Sequence, residues 1–245
     1  MKVEIWSDVV CPFCYIGKRK FEGALAQFNH RDDVEVTWHS FQLRPDAPRD
    51  YPGNSHDALA EKFGGDLARA KAMNDHVTAE AAAVGVHFDF DRARPTNTFD
   101  AHRFSHLAAA HGLQDAAEEQ LFAAYFTEGR HVGQPDTLRE IASEIGLDPK
   151  AVTAMLASDA YAAEVNADIS EAREIGITGV PFFVIDRQYG VSGAQPTETF
   201  LQVLQQVWAE SHPLTMLRTQ PAANAADDDC ADGVCAAPTP AQQKA

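Results

Sequence analysis

The chain is short of positive charge, of sulfur and of long apolar runs. Its 20 Lys and Arg stand against 36 Asp and Glu, a formal charge of −16. That balance argues against nucleic acid and anionic membrane surfaces as partners. No stretch approaches the roughly 18 consecutive apolar residues of a membrane span. Met1-Lys2 runs straight into V-E-I-W, without the basic and then apolar profile of a signal peptide. The expected address is therefore cytoplasmic. Cysteine is scarce, with four residues in two close pairs. In a reducing cytosol such pairs read as reactive or metal-binding thiols rather than as staples. What is plentiful is ordinary core material: 245 residues, 45% of them hydrophobic, are enough for one large domain or one domain with an insertion.

Strand signals occupy the two ends. Lys2 to Val10 is rich in strand formers. Pro12 suits the first turn of a helix, where its missing N–H costs nothing, and an apolar face continues to about Phe28. After a polar turn, Val34 to Leu43 alternates as a second strand, so the opening segment predicts a βαβ unit with parallel pairing. From about Asp50 to Ile175 an Ala-rich pattern, broken at Gly64-Gly65, Pro95, Pro135 and Pro149, predicts five to seven helices. His87 to Asp91 alternates but is too short to count as more than loop. Val180 to Ile185 and Val191 to Gly193 predict a hairpin, and Pro196 to Trp208 an amphipathic helix with Phe200, Leu204, Val207 and Trp208 on one face. The expected division is 1–49 with 176–212 as one discontinuous domain, 50–175 as a helical block, and 213–245 as a loosely held tail of Ala, Pro, Asp and Gln.

The chemistry concentrates in S-D-V-V-C-P-F-C-Y (Ser7 to Tyr15). Cys11 follows a strand and opens a helix, where unpaired N–H groups and the positive end of the dipole favour a thiolate. Cys14, one turn inside, is expected to be more buried and harder to ionise. Cys11 then becomes the exposed nucleophile and Cys14 the resolving thiol. Pro12 stiffens the turn, and Phe13 is expected to be exposed and to shape contact with a partner. A zinc site assembled with His102 and His106, four apart on a helix, is the weaker reading, because structural zinc normally draws on two such cysteine pairs or on histidines at ligand spacing.

Over nearly its whole length the sequence resembles the thioredoxin-fold family that contains the disulfide oxidoreductase DsbA. The nearest branch is that of the FrnE-like proteins, which are related to 2-hydroxychromene-2-carboxylate isomerases and kappa-class glutathione transferases. The resemblance is carried by C-P-F-C, W-H-S-F-Q-L-R-P, N-T-F-D-A-H-R and T-G-V-P-F-F-V-I. It implies an α/β thioredoxin-like fold, βαβ then ββα, with the helical block as an insertion. It also implies that Pro181 is the family's cis-proline, beside the redox pair. A cis Val180–Pro181 bond would turn the Val180 backbone toward an extended substrate segment, which could dock by strand addition. Some relatives lack the second cysteine and use glutathione; both are present here, which favours dithiol chemistry. Asn97, Thr98 and Asp100 lie where those relatives keep polar substrate contacts, and helix capping explains Asn97 or Thr98 equally well.

The tail pair, Cys230 and Cys235, is either a small local disulfide or metal site with Asp227 to Asp229, or an accessory redox pair exchanging electrons with Cys11 and Cys14 across a linker long enough to reach them. Trp38 and His39 are expected to pack, and His56, His76 and His111 to be solvated. Lys18 and Arg19 are expected to be surface charges. Glu4 is either a buried proton acceptor for Cys14 or exposed. The expected activity is thiol–disulfide exchange on protein or peptide substrates. It needs no metal, nucleotide or flavin, and glutathione or a thioredoxin-type reductant is the possible electron partner. The alternatives are a glutathione-dependent isomerase or transferase on a small aromatic substrate, and a thiol-dependent holdase.

Overall fold

Val3, Ile5 and Trp6 lie in the strand at the centre of the sheet. The computed structural model describes residues 1–213. In it β1 (Lys2–Ser7) has β2 (Glu35–Ser40) parallel on one side and β3 (Phe182–Ile185) antiparallel on the other. β4 (Tyr189–Ser192) completes the order β2-β1-β3-β4. Register places Val3 beside Ile185 and Ile5 beside Phe183 on one face, and Glu4 beside Val184 and Trp6 beside Phe182 on the other. Both faces are covered, so every β1 residue after Lys2 is buried. A central strand with two covered faces cannot keep the clean alternation of a half-exposed one.

Helix α1 (Pro12–Leu25) packs Ile16 and Phe21 onto the Val3–Ile5 face, and α9 (Thr197–Ser211) adds Phe200 and Leu204. Phe21, Phe183 and Phe200 meet with centroids 4.6–5.7 Å apart, and the two contacts that Phe200 makes are edge-on. On the opposite face α8 (Ala162–Glu174) contributes Ala172, which packs with Trp6, Ile177 and Val184. The Trp6 indole N–H donates to the Asp168 carbonyl at 3.1 Å.

Between β2 and β3 lie α2 (Ser55–Glu61), α3 (Leu67–Ala83), α4 (Phe99–Ala109), α5 (Gln114–Phe122), a π-helical segment (Ala123–Glu128), α6 (Pro135–Glu144), α7 (Pro149–Leu156) and then α8. Their starts follow local rules. Asn54 and Asp57 form a reciprocal capping box on α2, and Asp66 and Asp148 accept amides at the starts of α3 and α7. Pro135 and Pro149 occupy first-turn positions. His87–Asp91 is loop. The elements are shorter than the sequence pattern suggested. β1 stops at Ser7, β2 covers only Glu35–Ser40, and β3 begins at Phe182. Apolar residues just outside these ends, such as Val9, Val10, Phe41 and Leu43, extend the strand-like pattern beyond the strands themselves.

Candidate active site

β1 ends at Ser7, and Asp8 to Val10 turn the chain into α1, the Asp8 carbonyl accepting the Cys11 amide at 2.9 Å. Cys11 is the N-cap of α1, extended at φ −92°, ψ 112°, and Pro12 takes the first helical position. No side chain caps this end, and the Cys14 amide donates to the Cys11 carbonyl at 3.0 Å. Cys14 lies one turn on, and both cysteines are free thiols.

From the far end of the sequence comes the Val180–Pro181 bond, which is cis. The Cys11 thiol donates to the Val180 carbonyl at 3.5 Å, across 169 positions of chain. The Pro181 carbonyl accepts the Gly193 amide at 2.9 Å, which ties this loop to the β4 end. Gly17 makes the approach possible: a Cβ there would sit 3.0 Å from the Pro181 ring. The structure thus brings together Cys11, Cys14, Val180 and Pro181, with Phe13 on the outside at 40% exposure.

Cys11 differs from expectation in one respect. It is only 4% exposed, where an exposed nucleophile was expected, because Val180 covers it. Access is lateral, through a pocket of about 380 Å³ that Cys11, Pro12, Phe13 and Val180 line on one side. Residues of the helical block line the other, among them Leu59, Met73, Val77, Phe90 and Phe126. The π-helical segment aims Tyr125 into the same pocket, its hydroxyl 3.2 Å from Ser55 Oγ. Burial, with the Asp8 charge, pushes the Tyr125 phenol up to about 12. Thr98 also lines the pocket, whereas Asn97 accepts the Phe99 amide (2.9 Å) and Asp100 pairs with Arg49 and Arg103.

Burial drives the Cys14 thiol well above its ordinary range, and its contact with Cys11 adds to the effect. The Ser7 hydroxyl and the Asp8 backbone amide work against it. Cys14 is thus buried and hard to ionise, as its place one turn inside the helix implied.

Several charged residues behave differently from expectation. Lys18 is not a surface charge; it is 2% exposed and bridges Glu22, Asp115 and Glu119. Burial opposes its charge, but those three acids more than offset it and raise its pKa. Arg19 holds Glu22, Glu119 and the Tyr15 hydroxyl. His56 is buried, not solvated, and bonds Asn74 at 2.9 Å. Glu4 is fully buried, but across the sheet from Cys14. Burial alone would raise its pKa; Arg187, Lys2 and His39 hold it below the ordinary value instead.

The histidines considered for zinc serve different carboxylates. His102 Nε2 faces Asp8 Oδ1 at 3.5 Å, and His106 Nε2 meets Asp168 Oδ2 at 2.9 Å. His39, Asp168 and Glu171 do place ligand atoms within 4.8 Å of one another. There, however, Asp168 already binds His39, His106 and the Ser40 amide, and Glu171 binds Arg187. This is a satisfied ion network pinning α8 to β2. The residue that sequence reasoning missed is Asp8, an acid set directly before V-V-C-P. It is 1% exposed, lines the pocket, and accepts the Leu43 amide at 2.8 Å. Cys230 and Cys235 lie outside the described residues.

A family described as a DSBA-like thioredoxin domain matches residues 2–205. An uncharacterized protein of Bacillus subtilis, YwbO, is 30% identical over 186 residues, 75% of this chain and 86% of its own length. A crystal structure of a probable DsbA oxidoreductase from Streptomyces coelicolor is 46% identical, with a TM-score of 0.82 over 89% of this chain and 94% of that one. A 2-hydroxychromene-2-carboxylate isomerase shares the fold at 15% identity and a TM-score of 0.66, covering 86% of this chain and 98% of that one. Among the described residues no helix is long and apolar enough to cross a membrane.

Proposed function

The chain belongs to the DSBA-like thioredoxin-domain family, and on that premise we propose that it exchanges disulfides with protein or peptide substrates through Cys11 and Cys14. The Cys11 thiolate attacks one sulfur of a substrate disulfide; the substrate's other sulfur leaves as a thiolate and takes a proton from water. Cys14 then loses its proton and attacks Cys11 Sγ, closing the Cys11–Cys14 disulfide and releasing the substrate as a dithiol. The substrate is reduced by two electrons and the protein oxidised by two; run backward, the same steps oxidise a substrate. Val180 and Pro181 form the docking wall, and Pro12 and Phe13 the opposite rim, along which an extended segment would lie.

The observation that carries this reading is the Cys11–Val180 contact. It sets the sulfur of the N-cap residue against the backbone a substrate strand would use, with a buried, hard-to-ionise thiol one turn behind. The similar Streptomyces coelicolor protein, described as a probable DsbA oxidoreductase, supports it. The compartment we infer is the reducing cytoplasm, with glutathione or a thioredoxin-type protein returning the site to the dithiol, and with the tail pair as an accessory redox couple. Reduction of insulin in the presence of dithiothreitol tests the reading. Cys11→Ser should abolish it and Cys14→Ser should trap a mixed disulfide at Cys11; full activity in Cys11→Ser would overturn it.

The apolar pocket favours a second reading, that of a glutathione-dependent isomerase or transferase acting on a small aromatic molecule, because about 380 Å³ fits a compact ligand. Turnover of a glutathione-linked aromatic substrate by Cys11→Ser would select it.

A further inference from the structure

Asp8 touches both cysteines through its main chain and has no full partner for its charge. Its carbonyl accepts the Cys11 amide, and its own amide faces the Cys14 sulfur. Its carboxylate Oδ2 takes the Leu43 amide, while Oδ1 faces His102 Nε2 at 3.5 Å. Both of those facing atoms are buried and neither has a hydrogen-bond partner among the described residues. His102 sits on α4, 2% exposed. A carboxylate and an imidazole sealed together in this way can carry charge only as a couple, since either ion alone would be desolvated without compensation.

We propose that Asp8 and His102 form a charge couple that tunes the dithiol: Asp8 disfavours a thiolate at Cys11, and protonated His102, one layer farther back, offsets it. This rests on the dithiol reading above. The groups facing the couple are Glu118 from α5, Tyr125 from the π-helical segment and the Phe41 carbonyl, while Cys11, the N-cap of α1, and Cys14 meet it through the Asp8 main chain. Burial opposes a charge on His102, but Asp8 and Glu118 overcome it and raise its pKa. Glu118 itself accepts from Ser105 Oγ at 2.6 Å, and burial raises its pKa. The couple also links the turn before α1, which holds Asp8, to α4 of the helical block, which holds His102.

The test is the pH dependence of iodoacetamide alkylation at Cys11 in the full chain carrying Cys14→Ala. Mass spectrometry of the Cys11 peptide keeps it apart from Cys230 and Cys235. Asp8→Asn keeps an oxygen for the Leu43 amide and should lower the alkylation midpoint by about one pH unit, roughly tenfold in thiolate. His102→Gln should raise the midpoint, and should move it little once Asp8→Asn is present, because the imidazole acts only through the carboxylate. With Cys14 restored, Asp8→Asn should shift the glutathione equilibrium several-fold toward the dithiol form. Should Asp8→Asn fail to fold, Glu118→Gln leaves Asp8 intact and is expected to raise the midpoint by less than His102→Gln. An unmoved midpoint in every variant, or equal His102→Gln shifts with and without Asp8, overturns the couple alone. A wild-type Cys11 no more reactive than a thiol in the unfolded chain would instead overturn the dithiol reading.

Discussion

Helix α1 carries two glycines, and replacing each by alanine should move stability in opposite directions. In a helix interior alanine is better than glycine by about 0.5–1 kcal/mol, because it loses less backbone freedom on folding. At Gly23 the new Cβ meets only the Thr197 side chain, at 3.4–3.6 Å, an ordinary contact. Gly23→Ala should therefore gain most of that amount. At Gly17 the new Cβ stands 3.0 Å from the Pro181 ring and 3.5 Å from Ala194 Cβ. Pro181 is a stiff ring whose carbonyl is tied to Gly193, so the helix and the loop must separate by a few tenths of an ångström. Overpacking of this kind costs about 1–3 kcal/mol, which exceeds the propensity gain and leaves Gly17→Ala less stable by about 0.5–2 kcal/mol. Thermal melts should show a loss of a few degrees at Gly17 and a gain at Gly23, at roughly 2–4 °C per kcal/mol for a protein of this size. Insulin reduction adds a second readout, since the displaced loop carries Val180 away from Cys11: kcat/KM should fall in Gly17→Ala and stay level in Gly23→Ala. A Gly17→Ala protein that melts higher than wild type at full activity would refute the claim that these elements are in contact at their limit.

Three further outcomes follow from the charges. Lys18→Met leaves Glu22, Asp115 and Glu119 without their shared cation; because the three acids are partly exposed and Arg19 still holds Glu22 and Glu119, the loss measured by urea unfolding should be about 1–2 kcal/mol rather than the larger figure for a sealed pair. Asp168 sits where burial would raise its pKa, yet His106, His39 and the Ser40 amide hold it well below its ordinary 3.8. A depressed folded value means its contribution is present above about pH 4 and lost as pH falls toward the lowered pKa, so Asp168→Asn should flatten the acid limb of the stability–pH curve, read by circular dichroism. His102 has a raised folded value, so the support it gives is complete below its unfolded pKa and fades as pH climbs through the folded one. His102→Gln should remove that alkaline fade, and a melt series across neutral to alkaline pH that falls equally in both proteins would contradict it.

Much of this was legible in the sequence because the signals were local. Pro12 after a strand, the Gly and Pro breaks in the helical block, and the resemblance carried by C-P-F-C and T-G-V-P-F-F all point to the thioredoxin-like fold that the family match bears out. The burial of Cys14 and its resistance to ionisation followed from its place one turn inside the helix. What escaped depends on parts distant in the chain. Cys11 is covered because Val180 arrives from 169 positions away. Lys18 shares the buried face of α1 with Cys14 and Phe21, a spacing of four and three that was available to read; its charge argued the other way, and the acids of α5 that neutralise it come almost a hundred residues later. Alternation with Val3 and Ile5 left Glu4 open to burial or exposure, and what decides it is distant: α8 and Arg187 close over that side of the sheet. Asp8 offered one overlooked clue, an acid embedded in an apolar run immediately before the first cysteine.

The wall against which Cys11 rests is Val180, 169 positions farther along the chain. A nascent or truncated chain that ends before position 180 owns both sulfurs yet has nothing to align a visitor against them. If the proposed exchange depends on that wall, its selectivity should appear only once β3 has paired with β1, which would make the activity a readout of that pairing.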